Sequence, residues 1–322
     1  MRLIRGLHNL TEQCRGCALT IGNFDGMHLG HQSLLNLLAD TAREINGQSC
    51  LMTFEPLPHE FFSSQSTRQP SNRSRLMNTR EKLMALADYP ADLCPDYMLL
   101  LNFNASLSKM TAKDFIEKIL VEALAIKSLV IGDDFRFGRD RKGDLKMLQK
   151  FGAEHHFDVT SLSTHHIDNT RVSSSRIRDA LSTDRLKDAE TMLGRPYQIC
   201  GRIAHGDKRG RSIGFPTANI QLHRPATPLH GVYSVTMHSV KLGSIQGIAN
   251  IGHRPTVKGE RIQLEVHLFD FNQDIYGQNA CVSFQQKIRD EKKFESLEEL
   301  KQQIEIDCIQ ARKLQAGINT KN

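Results

Sequence analysis

Apolar positions in the first half of the chain come in short runs: Ala18 to Ile21, Cys50 to Phe54, Tyr97 to Leu101 and Ser128 to Ile131. Runs of this length, mostly apolar, read as buried strands. Between them the period lengthens. A helix entered near Gly30 carries Leu34, Leu35, Leu37 and Leu38 on its buried side. A second starts at Thr79, with Thr79 as its cap, and a third spans Thr111 to Leu124. Residues 60–78, rich in Ser, Arg, Gln and Asn, read as a mobile loop. Strands separated by helices predict a parallel, doubly wound sheet whose ligand sits beyond the carboxyl ends of the strands. The breaks at Gly22, Glu55 and Gly132 all follow strands and can converge there.

After about residue 183 the pattern changes. Ile199 to Ala204, Val232 to His238, Ile245 to Ile251, Gln263 to Phe269 and Ala280 to Gln286 alternate as strands, with glycine and proline turns between them. Successive strands without helices predict an antiparallel sheet or small barrel. Ser296 to Leu314 closes the chain as a helix, with Ser296 and Glu299 as a capping box. The boundary lies between Thr183 and Arg195, giving domains 1–183 and 184–322, and a length of 322 residues suits two domains.

Composition narrows the class. Hydrophobic residues are 39% and charged residues 24%, with no apolar run long enough for a membrane span and no signal peptide, so a cytoplasmic location is expected. The net charge of +6 is scattered rather than striped, which points to small anions and away from nucleic acid. Seven cysteines, an odd number, argue against a disulfide framework. Cys14 and Cys17 have metal spacing but no second pair, and read as plain thiols. The pairs His155–His156 and His165–His166 read as solvated.

The densest chemistry is Gly22-Asn23-Phe24-Asp25-Gly26-Met27-His28-Leu29-Gly30-His31. A strand, a glycine turn and a helix N-terminus form a ready anion site, and His28 and His31 share one face of the first turn. Without the rest of the string, a tight strand-to-helix turn with two surface histidines would explain it equally well. Gly132-Asp-Asp134-Phe-Arg-Phe-Gly138 can present carboxylates at a strand end, or be an ordinary turn. Val172-Ser173-Ser174-Ser175-Arg-Ile-Arg178 sets hydroxyls and arginines at a helix start, which suits phosphate as well as simple capping.

These pieces, with Phe54-Glu-Pro56-Leu-Pro58, resemble the FMN adenylyltransferase module of prokaryotic bifunctional riboflavin kinase/FAD synthetases, within the HxGH nucleotidyltransferase superfamily. The resemblance implies that Gly22, Asn23, Phe24, Asp25, Gly26, Gly132, Asp134, Ser173, Ser174 and Ser175 bind ATP. It also implies that His28, His31 and Arg178 stabilise adenylyl transfer, and that Phe54, Pro56 and Pro58 seat the flavin. Many members carry His or Gln where Leu57 stands, and Thr where Ser175 stands.

In the second half, Gly206, Lys208, Gly210, Arg211 and Gly214 form a basic glycine-rich stretch running into Phe215-Pro216-Thr217-Ala-Asn219. Thr217 and Asn219 are two apart and face one way on an extended segment, as hard-oxygen ligands for Mg²⁺. Glu265 lies between apolar neighbours. It is either on a solvated face or a base toward an attacking hydroxyl. With Gly231-Val-Tyr233, Asn250 to Thr256, Tyr276-Gly277 and Ile288-Arg289, these residues resemble the riboflavin kinase module of the same family. That implies a six-stranded antiparallel flavokinase barrel. In it Gly206, Lys208, Gly210, Arg211, Gly214, Phe215 and Pro216 hold ATP, Thr217 and Asn219 hold Mg²⁺, and Glu265 is the base. The expected ligands are riboflavin, FMN, FAD and ATP, with no nucleic acid and no membrane. A chain with one live activity, or a flavin- or RNA-binding regulator without catalysis, would show a degraded motif, and the motifs are intact.

Overall fold

In the computed structural model, residues 1–65, 74–167, 170–205, 213–222, 224, 226–239, 241–256 and 259–319 are described. The chain forms two compact units, Met1–Asn72 with Lys82–Ser173, and Arg73–Glu81 with Ser174–Asn322.

The first unit is built on strands β1 (Arg2–Arg5), β2 (Ala18–Ile21), β3 (Ser49–Glu55), β4 (Tyr97–Asn102), β5 (Ser128–Gly132) and β6 (Asp158–Leu162). They form one six-stranded sheet in the order β1-β4-β3-β2-β5-β6, and every pairing is parallel. β2, β4 and the first four residues of β5 are almost wholly buried, because helices cover a parallel sheet on both faces. From β2 the chain steps one way through β3 to β4, then returns to lay β5 on the other side of β2. The carboxyl ends of β2 and β5 therefore flank the point where the strand order reverses, the usual ligand crevice of such sheets. The core packs Leu19, Ile21, Met52, Leu99, Leu129 and Ile131 against the helical segment 112–123. Thr111 caps that segment by accepting from the Asp114 N–H at 3.0 Å, and from Phe115 to Ala123 it runs as a wide π-type turn.

Several local expectations change. β1 and β6 are too short or too polar to read from pattern. Within the expected loop 60–78, Pro58–Gln65 is helical, while Ser74, Arg75, Leu76, Met77 and Asn78 are buried. The Thr79–Ala87 helix is capped by Asn78 rather than Thr79. Asn78 accepts from the Glu81 N–H at 2.9 Å, and Glu81 accepts from the Asn78 N–H at 2.7 Å, a reciprocal box. Leu37 is half-buried, unlike Leu34, Leu35 and Leu38. Cys14, Cys17 and Cys50 are buried free thiols, and among the described residues no group of three or more His, Cys, Asp or Glu could hold a metal.

The second unit contains β9 (Gln198–Ala204), β10 (Ala218–Ile220), β11 (Gly231–Ser239), β12 (Gly243–Thr256), β13 (Gly259–Leu268) and β14 (Asn279–Arg289), numbered after a short hairpin, β7 (His166–Ile167) and β8 (Thr170–Arg171), of the first unit. These six close into an antiparallel barrel in the order β10-β13-β12-β11-β14-β9, which leaves no free sheet edge. The terminal helix Leu297–Asn319 is capped by Ser296, whose hydroxyl accepts from the Glu299 N–H at 3.1 Å. Contrary to the reading from cysteine number, Cys200 on β9 and Cys281 on β14 are paired in register and form a disulfide. An odd count excludes only complete pairing.

Candidate functional site

In the first unit, β2 ends at Ile21 and the chain turns through Gly22 to Met27 into the helix Leu29–Glu44. Phe24, Gly26 and Met27 all take left-handed backbone angles. A lattice of bonds holds this turn. The Asn23 carbonyl accepts from the Lys82 ammonium at 2.6 Å and the Thr53 hydroxyl at 3.2 Å, and Phe24 and Asp25 are buried. Lys82 is itself buried at 2% exposure, a position that sequence spacing did not single out.

His28 is the helix N-cap, its Nδ1 accepting from the His31 N–H at 3.3 Å. The two rings stack at 3.6 Å between centroids, 15° from parallel. Burial lowers the pKa of His28 to about 4, against the opposing pull of Asp25, and burial followed by the charges of His28 and Lys82 holds His31 well below the ordinary range. Both imidazoles are therefore neutral near pH 7, each with one N–H to donate. Nδ1 of His31 is buried without a hydrogen-bond partner among the described residues. Gly30 packs closely here: a Cβ would lie 3.3 Å from the His28 ring and 3.6 Å from the His165 Cβ. His165, expected in solvent, is half-buried at this spot, and its charge contributes to lowering the His28 pKa.

Beyond β5, Asp133 accepts from the Thr164 hydroxyl at 2.7 Å and N–H at 3.2 Å, and the first of these bonds is the main reason its carboxyl is held below the usual range. Asp134 pairs with Arg171, a residue the motif reading passed over although it directly precedes Val172-Ser173. Ser173 belongs to this unit, while Ser174, Ser175 and Arg178 belong to the second, where the Arg178 Nε donates to the Ser74 carbonyl at 2.6 Å. At the end of β3, Phe54 meets Phe103 edge-on at 5.8 Å, and Phe61 and Phe62 extend the cluster. Phe62 is 54% exposed, so the cluster has an open aromatic face beside Pro56 and Pro58. Leu57 is fully buried and offers that face no polar contact.

In the second unit a cavity of ≈ 340 Å³ is lined by Phe215, Thr217, Asn219, Asn250, Glu265 and Arg289, among others. Asn219 on β10 and Asn250 on β12 both lie opposite Glu265 on β13. Glu265, half-buried, lines this cavity. The Gln263 side chain, unforeseen from sequence, donates to Glu265 at 2.9 Å and also to Asn219. Arg289 grips the nearly buried Asp307 through Nε, 3.0 Å from each carboxylate oxygen. Asn250 donates to Glu291 at 3.2 Å while its own Oδ1 is buried and unpartnered among the described residues. Gly252 admits this approach, since a Cβ there would come within 1.9 Å of the Glu291 carboxylate.

Thr217 also lines a second cavity of ≈ 450 Å³, with His205, Pro216, Asp274 and Tyr276. The His205 and Tyr276 rings lie 3.8 Å apart. Gly214 has a left-handed φ of 91° in open space. Gly206, Lys208, Gly210 and Arg211 lie outside the described residues.

Comparison with known proteins matches residues 10–176 to the FAD synthetase family and residues 193–315 to the riboflavin kinase family. The chain is 47% identical over 313 residues to the bifunctional riboflavin kinase/FMN adenylyltransferase of Escherichia coli K12, covering 97% of each protein. It is 46% identical to the enzyme of the same description from Haemophilus influenzae, covering 97% of this chain and 98% of that one. A solved Streptococcus pneumoniae structure, described as a macrolide-efflux protein, superposes with a TM-score of 0.77 at 30% identity, covering 95% of this chain and 97% of that one. Among the described residues, no helix is long and apolar enough to cross a membrane.

Proposed function

The chain belongs to the bifunctional riboflavin kinase/FMN adenylyltransferase family, and from that premise we propose how its residues divide two reactions. The C-terminal half phosphorylates riboflavin with ATP to FMN, and the N-terminal half joins FMN to AMP from ATP, giving FAD and pyrophosphate. For these roles we keep residues 1–183 and 184–322 as the working halves. The observation that supports the reading is that one chain holds a stacked histidine pair at a helix N-terminus and, elsewhere, Thr217, Asn219 and Glu265 around one cavity.

In the kinase half, the ribityl 5′-hydroxyl gives its proton to Glu265 as its oxygen attacks the γ-phosphorus and ADP leaves. Thr217 lines both cavities, so it stands where a nucleotide phosphate in one meets an acceptor hydroxyl in the other. The Thr217 hydroxyl and the Asn219 amide oxygen are a hard-oxygen pair that fits Mg²⁺ completed by phosphates and water. Thr217 and Asn219 would hold that ion, and it would supply neutralisation of the negative charge on the transferring phosphoryl group. Gly214, Phe215 and Pro216 shape the approach to Thr217, and Gly206, Lys208, Gly210 and Arg211 are assigned to ATP through the family motif.

In the adenylyltransferase half, an FMN phosphate oxygen attacks the α-phosphorus of ATP and pyrophosphate departs. The turn from Gly22 to Gly26 cradles phosphate with its backbone. His28 and His31, neutral and stacked, donate N–H groups to oxygens that gain charge in the transition state. Gly132, Asp134, Ser173, Ser174, Ser175 and Arg178 are assigned to the nucleotide, and Phe54, Pro56 and Pro58 to the flavin ring. The partners proposed are riboflavin, FMN, FAD and ATP, in the cytoplasm, with no nucleic acid or membrane. Incubation with riboflavin and Mg²⁺–ATP, followed by chromatography, should show FMN rising first and FAD following. A chain that makes neither product, or only one, sinks the two-reaction reading.

A further inference from the structure

The side chain of Gln263 joins two residues that the kinase reading places in different roles. On β13, Gln263 and Glu265 are two apart, so both side chains stand on one face of the strand. The Gln263 amide nitrogen lies 2.9 Å from the Glu265 Oε1 and also bonds the Asn219 Oδ1. An amide NH₂ has two hydrogens, and these two contacts use both. The polarity of the chain is fixed by chemistry: an ionised carboxylate only accepts, so Gln263 must turn its nitrogen toward Glu265, and its second hydrogen then requires the oxygen of Asn219.

We propose that Gln263 is a positioning residue for phosphoryl transfer to riboflavin, one that holds the base Glu265 and the oxygen of Asn219 in a fixed mutual orientation. The proposal rests on the kinase reading given above. Gln263 touches neither proton nor phosphorus. In the step it serves, the proton passes from the 5′-hydroxyl to the Glu265 carboxylate, the oxygen–phosphorus bond forms, and the bond to ADP breaks. Its donation clamps the carboxylate against rotation and favours the ionised form, which must be present to accept that proton. Among the described residues, the other ionisable groups lining the cavity are His267, on the same face of β13, and Arg289, Glu291, Lys292 and Asp307. β10 and β12 set only the uncharged Asn219 and Asn250 in register with Glu265.

Gln263→Met keeps the length of the side chain and removes the donor. In the full-length protein it should lower kcat for FMN formation by ~10–100-fold, with KM for riboflavin changed less than about 3-fold. FAD formation from supplied FMN should be unchanged, which shows that the variant is folded and active elsewhere. Losing a donor to the charged form raises the Glu265 pKa, so the acid limb of the kinase profile should move to higher pH. The ¹³C-carboxyl titration of Glu265 in ligand-free protein, identified by its absence in Glu265→Gln, should move the same way. Gln263→Glu, which sets a second acceptor against both partners, should shift it further. In the Glu265→Gln background, Gln263→Met should cost several-fold less than in wild type, because the part of its effect that runs through the base is already lost and only the part through Asn219 remains.

A wild-type chain that makes no FMN overturns the kinase reading itself. If wild type makes FMN and the Glu265 titration is unmoved in both Gln263 variants, the positioning role fails alone. That role also fails if Gln263→Met costs as much without Glu265 as with it.

Discussion

His28 and His31 stack face to face, 3.6 Å between ring centroids, and the Nδ1 of the first accepts from the backbone N–H of the second. One helical turn thus presents two imidazoles as a single surface, next to the unpaired N–H groups of the helix start. On the proposed reading, replacing either ring with alanine removes a donor to developing charge, and such donors are worth about 10²–10³-fold in rate. FAD formation should fall at least that far in His28→Ala and His31→Ala, while riboflavin is still converted to FMN. Measuring both products from one incubation checks this, and a double variant making FAD at the parental rate would remove the pair from the reaction.

Acid should act on this site in a defined window. The folded pKa of His28, about 4, lies below its ordinary value of 6.5, and burial is the main cause. Between those values the unfolded chain takes up a proton that the folded chain refuses, so stability declines as pH falls from 6.5 toward 4 and is unaffected by this group above 6.5. His28→Asn cannot titrate. The difference in Tm between wild type and His28→Asn should shift against wild type as pH drops through that window. A difference that stays constant with pH would mean His28 is not buried as a neutral ring.

Arg224 and Glu81 form an ion pair inside the second unit, with side-chain exposures of 0% and 1%. Glu81 also accepts from the Cys200 N–H at 2.8 Å, and Arg224 donates to the Leu76 carbonyl at 3.2 Å and the Tyr197 hydroxyl at 3.1 Å. A fragment starting at residue 184 lacks Glu81 and Leu76, and so loses this ion pair and the carbonyl that holds the guanidinium. Breaking such a pair costs about 3–5 kcal/mol, whereas replacing both partners by apolar groups is often neutral. The fragment 184–322 should melt well below the full chain, and Arg224→Met within it should recover part of the loss. A bare fragment that melts with the full chain would show that the pair contributes little.

What the sequence made legible was whatever repeats along the chain or sits at a motif. The run Ala18 to Ile21 is a strand with those same ends, because three apolar residues and a threonine ahead of the break at Gly22 read as a short buried strand. The antiparallel half was legible because strand segments follow one another without helices, and Glu265 stood out as the one carboxylate alternating with Leu264 and Val266 in such a segment. Partners brought together across elements were not legible. Gln263 is an ordinary strand residue until β10 sets Asn219 opposite Glu265. Lys82 reads as a surface helix position, yet it is folded onto the Asn23 carbonyl. Asn78 outcompeted Thr79 as cap because Glu81 lies three residues after it and completes the box. Cys200 and Cys281 are separated by 81 residues, and only barrel closure makes β9 and β14 neighbours.

Glu265 is the sharpest test of the kinase half. It is in register with Asn219 and Asn250, lines the cavity with Thr217, and accepts from Gln263. An acid placed there has two readings: a base for the hydroxyl, or a polar residue that keeps the cavity hydrated. Glu265→Gln separates them. It preserves size, and its carbonyl oxygen can still accept from Gln263, so packing and the link to Asn219 survive. What it removes is the capacity to take a proton. Loss of a general base typically costs ~10²–10⁴-fold, and that loss should appear in kcat for FMN formation. The dissociation constant for Mg²⁺–ATP should change little, since Thr217 and Asn219 are untouched. FAD formation from supplied FMN should continue at the parental rate, because the residues proposed for that step, His28 and His31, are untouched. The two products would be assayed separately in the same preparation. Parental FMN formation in Glu265→Gln would leave the carboxylate as a hydrating group and send the search for the base elsewhere in the cavity.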